Sequence, residues 1–209
     1  MDLRHLVGMS LGDYQIKRLL GSGGMGSVFL GWHRHMQLPF AVKVLFPEQA
    51  NNEQFLERFF HEASLGARLR HENAVGVHYA GIAEVELAAW NVPARLAYLA
   101  MEYVEGRSAR EALKETDAGR LEPAVAAEIV AQALRGLSAA HDMGLIHRDI
   151  KPDNLMIARD GRVKIADFGL ARMLGDAGLT QTGQILGTPS YMSLEQWRGD
   201  EDIDARTDI

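Results

Sequence analysis

Apolar and polar residues alternate over residues 14–20, a glycine cluster interrupts them, and strand-like composition resumes over residues 27–32. Alternation of this kind buries one face of a strand, and a glycine-rich break between two such runs reads as a turn. The chain therefore opens with two strands joined through Gly21-Ser22-Gly23-Gly24-Met25-Gly26. Glycines at such a turn let the backbone approach a phosphate closely and aim N–H groups at it. The same spacing also fits a dinucleotide-binding turn or a plain flexible hairpin. A strand rather than a helix follows, and no strand–helix–strand unit surrounds the cluster, which argues against the dinucleotide reading.

Further along, residues 40–46 read as a third strand. Phe55, Phe59, Ala63 and Leu69 recur at near-helical spacing in an amphipathic helix over 52–69. Strands are predicted over 75–81 and 95–104, with a long loop over 84–93 and a break at Gly106. The strongest helical pattern covers 122–143, with Pro123 in its first turn and Ile129, Ala133, Leu137 and Ala140 on one face. Short strands follow at 155–157 and 163–165, then a Gly- and Thr-rich stretch to Pro189. Strands come first and helices afterwards, which predicts an α+β chain in two lobes divided near Gly106.

Composition narrows the function. With 47% hydrophobic and 24% charged residues, the 209-residue chain suits a packed core. Its net charge of −6 argues against nucleic-acid binding, which rests on neutralising phosphates. There are no cysteines to make disulfides or ligate zinc. Residues 1–10 lack the apolar core of a signal peptide, and no stretch is apolar enough to span a bilayer. A cytoplasmic location is expected, with a membrane anchor elsewhere in a longer protein left open.

Ala41-Val42-Lys43 lies in the third strand. A lone strand lysine is usually a solvated edge, but here it follows a phosphate-type loop within an apolar strand. An ammonium there could hold phosphate oxygens if a carboxylate partnered it. Glu62, in Arg58-Phe59-Phe60-His61-Glu62-Ala63 on the amphipathic helix, is the natural partner, although taken singly it reads as a surface glutamate.

His147-Arg148-Asp149-Ile150-Lys151-Pro152-Asp153-Asn154, followed by Asp167-Phe168-Gly169, decides between these readings. With the glycine cluster and the strand lysine, these motifs form the signature set of protein kinases. The sequence resembles the bacterial branch of the eukaryotic-like Ser/Thr kinases from about Leu11 onward, including Gly23-Gly24-Met25-Gly26 and Gly187-Thr188-Pro189-Ser190-Tyr191-Met192.

The resemblance implies a two-lobed kinase domain over 11–209, with a β-rich N-lobe at about 11–104 and a helical C-lobe at 105–209. It implies ATP and Mg²⁺ as cofactors. Phosphoryl transfer needs charge neutralisation and alignment more than covalent help. On this reading the backbone of Gly21, Ser22, Gly23, Gly24, Met25 and Gly26 covers the phosphates, and Lys43, paired with Glu62, holds the α/β oxygens. Asp149 accepts the substrate hydroxyl proton, Lys151 neutralises the γ-phosphate, and Asn154 and Asp167 hold Mg²⁺. Met101 is the gatekeeper, Glu102 and Val104 bond the adenine edge through their backbones, and Val28, Ala41 and Met156 sandwich the ring.

Lys151 and Thr188 resemble Ser/Thr rather than Tyr kinases, so the expected partners are proteins with Ser/Thr acceptors. Arg148 beside Asp149 implies a phosphorylated activation loop, with Thr180 or Thr182 as its targets. Two other readings stand beside this one: an inactive nucleotide-binding module working through protein contacts, and a small-molecule phosphotransferase. The second is disfavoured by Lys151, Thr188 and the activation-type loop over 171–189.

Two departures from the family pattern stand out. Met192-Ser193-Leu194-Glu195 replaces the usual Ala-Pro-Glu, so the turn loses proline's fixed φ and a looser peptide platform is expected. Asp208 resembles the aspartate that opens the central C-lobe helix and braces the catalytic loop, and the chain stops there. An incomplete C-lobe is therefore expected. The face formed by Ile129, Ala133, Leu137 and Ala140 should then stay uncovered and the catalytic loop should lose its brace. Such a chain would be poorly stable and nearly inactive alone.

Overall fold

The alternation in the first hundred residues becomes one antiparallel sheet. In the computed structural model, which describes residues 3–86, 93–168, 189–200 and 202–209, β1 (Ser10–Leu11), β2 (Tyr14–Gly23), β3 (Gly26–His33), β4 (Leu38–Leu45), β5 (Val77–Glu86) and β6 (Pro93–Glu102) form it. Their order is β1-β2-β3-β4-β6-β5. The chain divides into two compact units, Met1–Ala67 with Val77–Tyr103, and Arg68–Gly76 with Val104–Ile209.

In the first unit, strand register sorts the side chains. Facing pairs in an antiparallel ladder point to the same side, and Gly31↔Phe40, Phe29↔Val42 and Val42↔Ala100 place one set together. This side carries the hydrophobic core, with Tyr14, Ile16, Phe29, Phe40, Val42, Val44, Leu96, Tyr98 and Ala100. Leu3, Leu6 and Leu11 are buried in the same cluster. Leu3 and Leu6, which precede the domain expected over 11–209, thus belong to this core. The opposite side carries Val28, Ala41, Lys43, Leu99 and Met101, through Val28↔Lys43, Lys43↔Leu99 and Ala41↔Met101.

Two helices complete this unit. The short helix α1 (Pro47–Ala50) precedes α2 (Glu53–Arg68), which buries Leu56, Phe59, Glu62, Ala63 and Gly66. Phe55, expected on the buried face, is half-buried. The loop expected at 84–93 is partly strand, because Glu84↔Arg95, Val85↔Ala94 and Glu86↔Pro93 extend the β5–β6 ladder. Val85 and Ala94 are buried in the core, which holds the pair together. Residues 87–92 lie outside the described segments.

The second unit contains β7 (Gly106–Ser108), α3 (Ala109–Lys114), α4 (Pro123–His141), β8 (Leu155–Ala158), β9 (Val163–Ile165) and α5 (Leu194–Arg198). Gly106 does not break the chain but opens β7. A Cβ there would collide with the carbonyl oxygen of Ile157 on β8, so the glycine permits close pairing. Ser108 caps α3 in a reciprocal capping box with Glu111. Asn73 ties its segment into this unit: its Nδ2 donates to Val163 O at 2.8 Å and Gln132 Oε1 at 3.2 Å, and its carbonyl accepts from Ile165 N at 2.9 Å. Gly136 lets α4 approach that carbonyl, since a Cβ would sit 2.5 Å from it.

The expected uncovered face of α4 is corrected here. Ile129, Ala133, Leu137 and Ala140 are all buried, with α4 lying against β9. The large apolar residues of this helix that are exposed are Val125, Val130 and Leu134. Among the described residues, no helix is long and apolar enough to cross a membrane.

Candidate active site

The glycine-rich turn is a hairpin tip whose glycines serve two different ends. Gly26 packs so tightly on β4 that a Cβ would meet the Val44 carbonyl oxygen. Met25 is buried, and its carbonyl accepts from Phe46 N at 3.1 Å. Ser22 and Ser27 hydroxyls meet at 2.9 Å across the strands. By contrast, a Cβ on Gly21, Gly23 or Gly24 meets no protein atom within 4 Å. Packing therefore explains Gly26, whereas the other three leave open room where a phosphate could approach the backbone, as a cradle for ATP phosphates requires.

Lys43 and Glu62 are both buried charged residues of this unit, 9% and 5% exposed. Met101 is buried, whereas Val28, Ala41 and Glu102 are half-buried. In the second unit Val104 and Met156 are half-buried, and Met156 is paired with Ser108 and Lys164 across its strands.

The second unit gathers the catalytic-loop residues. Asp149 Oδ2 accepts from Lys151 Nζ at 2.7 Å and from Asn154 Nδ2 at 3.1 Å, and Asn154 Nδ2 also donates to the Asp149 carbonyl at 2.7 Å. One carboxylate oxygen is thus held by an ammonium and an amide. Because the Asn154 nitrogen is committed to Asp149, its Oδ1 is the atom left to face a cation. Asp167, two residues beyond Ile165 at the end of β9, is the other oxygen-donor side chain that the motifs single out. Two oxygen-donor side chains together with substrate phosphates suit Mg²⁺, which seldom takes an all-protein cage. Among the described residues no cluster of three His, Cys, Asp or Glu side chains could hold a metal.

Backbone shape at this loop is unusual, and side chains hold it. Arg148 and Asp167 both adopt φ of 65°, a left-handed conformation uncommon outside glycine. The Asp208 carboxylate accepts Arg148 N at 2.7 Å, His147 N at 2.8 Å and His141 Nε2 at 2.8 Å. The brace expected to be lost is therefore seated, and Asp208 itself is buried. His147 is fully buried. Its Nδ1 accepts from Asp149 N at 3.2 Å, its Nε2 donates to Ala166 O at 2.8 Å, and its ring lies 5.0 Å from that of Phe168. Burial lowers its pKa, so the neutral imidazole makes these bonds.

The turn before α5, which lacks the family's proline, is held by side-chain hydrogen bonds. Ser193 caps the helix, its hydroxyl accepting from Gln196 N while the Gln196 side chain accepts from Ser193 N. The Ser193 hydroxyl also meets Thr207 Oγ1 at 2.6 Å. Leu194 occupies the first helical position, where proline would supply its φ, and the capping box fixes the entry instead.

Sequence reasoning missed three contributors: His141 on Asp208, Gln196 Nε2 on Arg148 O at 2.7 Å, and Arg110. Arg110 donates to Asp153 Oδ2 at 3.3 Å and Tyr191 OH at 2.7 Å, with its guanidinium 5.5 Å from the Tyr191 ring centre. No short-range pattern links these pairs. Gly169, Thr180, Thr182 and Thr188 lie outside the described residues.

Asp149, Lys151 and Asn154, which the kinase motifs single out, thus meet in one cluster on a backbone braced by the distant, buried Asp208. The protein kinase domain family matches residues 14–209. The chain belongs to the protein kinase family. It is 42% identical to serine/threonine-protein kinase PknB of Mycolicibacterium smegmatis over 94% of its own length and 30% of that protein's. It is 41% identical to serine/threonine-protein kinase PknA of Mycobacterium tuberculosis over 92% of its length and 43% of the relative's. The chain thus spans less than half of these curated relatives. The crystal structure of the Mycobacterium tuberculosis PknI kinase domain is similar with a TM-score of 0.70 and 30% identity, over 97% of this chain and 71% of that one. This kinase chain therefore groups with bacterial serine/threonine kinases.

Proposed function

We propose that the chain transfers the γ-phosphate of ATP to serine and threonine hydroxyls of proteins. The Asp149–Lys151–Asn154 cluster supports this reading best. A carboxylate that keeps one oxygen on Lys151 and Asn154 has its other oxygen available to orient a hydroxyl and take its proton. The hydroxyl oxygen forms the new bond to the γ-phosphorus as the bond to the β–γ bridging oxygen breaks. Lys151, within reach of Asp149, balances charge on the moving phosphoryl group.

Asn154 and Asp167 would hold Mg²⁺, which supplies neutralisation of the phosphate charge. The backbone of residues 21–26 is assigned to the phosphates, and Lys43 to the α/β oxygens. Two buried opposite charges are costly unless paired, which supports Glu62 as the partner of Lys43. Val28, Ala41, Met101, Glu102, Val104 and Met156 are assigned to adenine. Arg148 Nε is buried without a hydrogen-bond partner among the described residues. A phosphorylated Thr180 or Thr182 would satisfy it.

The test is transfer of labelled phosphate from ATP to protein and to small-molecule acceptors, for the wild type and Asp149→Asn. Label on protein serine or threonine, lost in Asp149→Asn, is expected. Nucleotide binding without transfer would instead mark a binding module, and label only on small molecules a different phosphotransferase.

A further inference from the structure

We propose that Gln196 is a positioning residue for Asp149, acting through the Arg148 peptide. Its side-chain amide does two jobs at once. Oε1 accepts from Ser193 N at 3.0 Å, closing the cap of α5, and Nε2 donates to Arg148 O at 2.7 Å. The two bonds fix the amide's orientation, because a flipped amide would set oxygen against the Arg148 carbonyl and N–H against N–H.

Capping does not explain the choice of residue. Glutamate serves a capping box as well as glutamine, since only an acceptor is needed. The contact with Arg148 O requires a donor, which glutamate lacks at neutral pH. Arg148 is also where support matters: its left-handed φ of 65° sits directly before Asp149. Asp208 holds the N–H of this residue and Gln196 holds its carbonyl. With both ends tied, the direction in which the chain enters Asp149 is set. Ser193 closes the circuit, because its hydroxyl meets Thr207, the neighbour of Asp208. The helix α5, the catalytic loop and the Asp208 turn are thereby one hydrogen-bonded ring.

What Asp149 does chemically rests on the kinase reading above; the positioning does not. Hydrogen exchange of the full chain therefore reads positioning, and phosphate transfer reads function. Gln196→Glu keeps the cap and loses the donor, whereas Gln196→Met loses both. In Gln196→Glu, exchange at the Arg148 and Asp149 amides should quicken about tenfold or more, while the Ser193 amide stays as protected as in wild type. Gln196→Met should release both. Turnover in Gln196→Glu should fall about 10- to 100-fold with KM for ATP unchanged, as expected when alignment alone is lost. Unchanged loop exchange in Gln196→Glu, or wild-type turnover, would overturn the proposal. Loop release in a chain whose wild type transfers no phosphate would support the positioning and refute the kinase reading.

Discussion

Asp208 accepts the backbone N–H of Arg148 at 2.7 Å across 60 residues of sequence. A carboxylate only accepts, so the His141 Nε2 that meets it at 2.8 Å carries the proton. Asp208→Ala leaves the His147 and Arg148 N–H groups without their acceptor, and each such buried donor costs about 1–3 kcal/mol. Chemical denaturation should show a loss of that size for Asp208→Ala and a smaller one for Asp208→Asn, which keeps one acceptor oxygen. Wild-type stability in both variants would show that the brace is dispensable.

Asp167→Asn should abolish phosphoryl transfer, because a neutral amide replaces the carboxylate assigned to Mg²⁺. ATP should still bind, since the residues assigned to adenine are untouched. Calorimetric titration with ATP alongside a transfer assay separates the two, and transfer near the wild-type rate would remove Asp167 from the metal site.

Which parts of this arrangement the sequence revealed depended on how far apart the partners lie. Lys151 and Asn154 stand two and five residues from Asp149, and motif spacing was enough to find them. Asp208 could be assigned only by resemblance, and Gln196, His141 and Arg110 by nothing, because their partners lie across dozens of residues with no shared period. The periodicity of α4 showed which stripe is apolar but not what covers it. Ile129, Ala133, Leu137 and Ala140 are covered, whereas Val125, Val130 and Leu134 are exposed. At 84–86, where two glutamates flank the buried Val85, the strand is revealed only by its pairing with β6.

Stability should fall on acidification through the histidine range because of His147. Burial lowers its pKa below the 6.5 of a free side chain. As pH drops below about 6.5, the unfolded chain takes up a proton that the folded chain resists, so the folded state loses ground. The loss continues until the lowered folded value is passed. Denaturation midpoints measured from pH 8 to pH 5 should decline, and more steeply in wild type than in His147→Phe, which has no proton to take up. Equal slopes would exclude His147 as the source.

Phosphate is expected on Thr180 or Thr182 in active protein, since Arg148 Nε is buried without a partner among the described residues. A phosphate oxygen there gains charge-assisted bonds. Mass spectrometry after incubation with ATP should place the group within residues 171–189. Full activity in a Thr180→Ala/Thr182→Ala double variant would show that no such switch operates.

The segment before the family match carries part of the first unit's stability. Leu6 is fully buried in a cluster with Leu3, Leu11, Tyr14 and Ile16. It is placed there by the turn at Arg4–Leu6, whose neighbours Gly8 and Met9 bond to Ile16 on β2 at 2.9 and 2.8 Å. Truncating a buried leucine to alanine loses its transfer energy and leaves a cavity, together about 2–5 kcal/mol. That is a large share of the roughly 5–15 kcal/mol that holds a domain folded. Leu6→Ala should therefore lower the denaturation midpoint markedly, whereas Val7→Ala, at a side chain 44% exposed, should change it little. Deleting residues 1–9 should be at least as damaging as Leu6→Ala. If the deletion and Leu6→Ala both unfold with wild type, the segment is an appendage and the core closes without it.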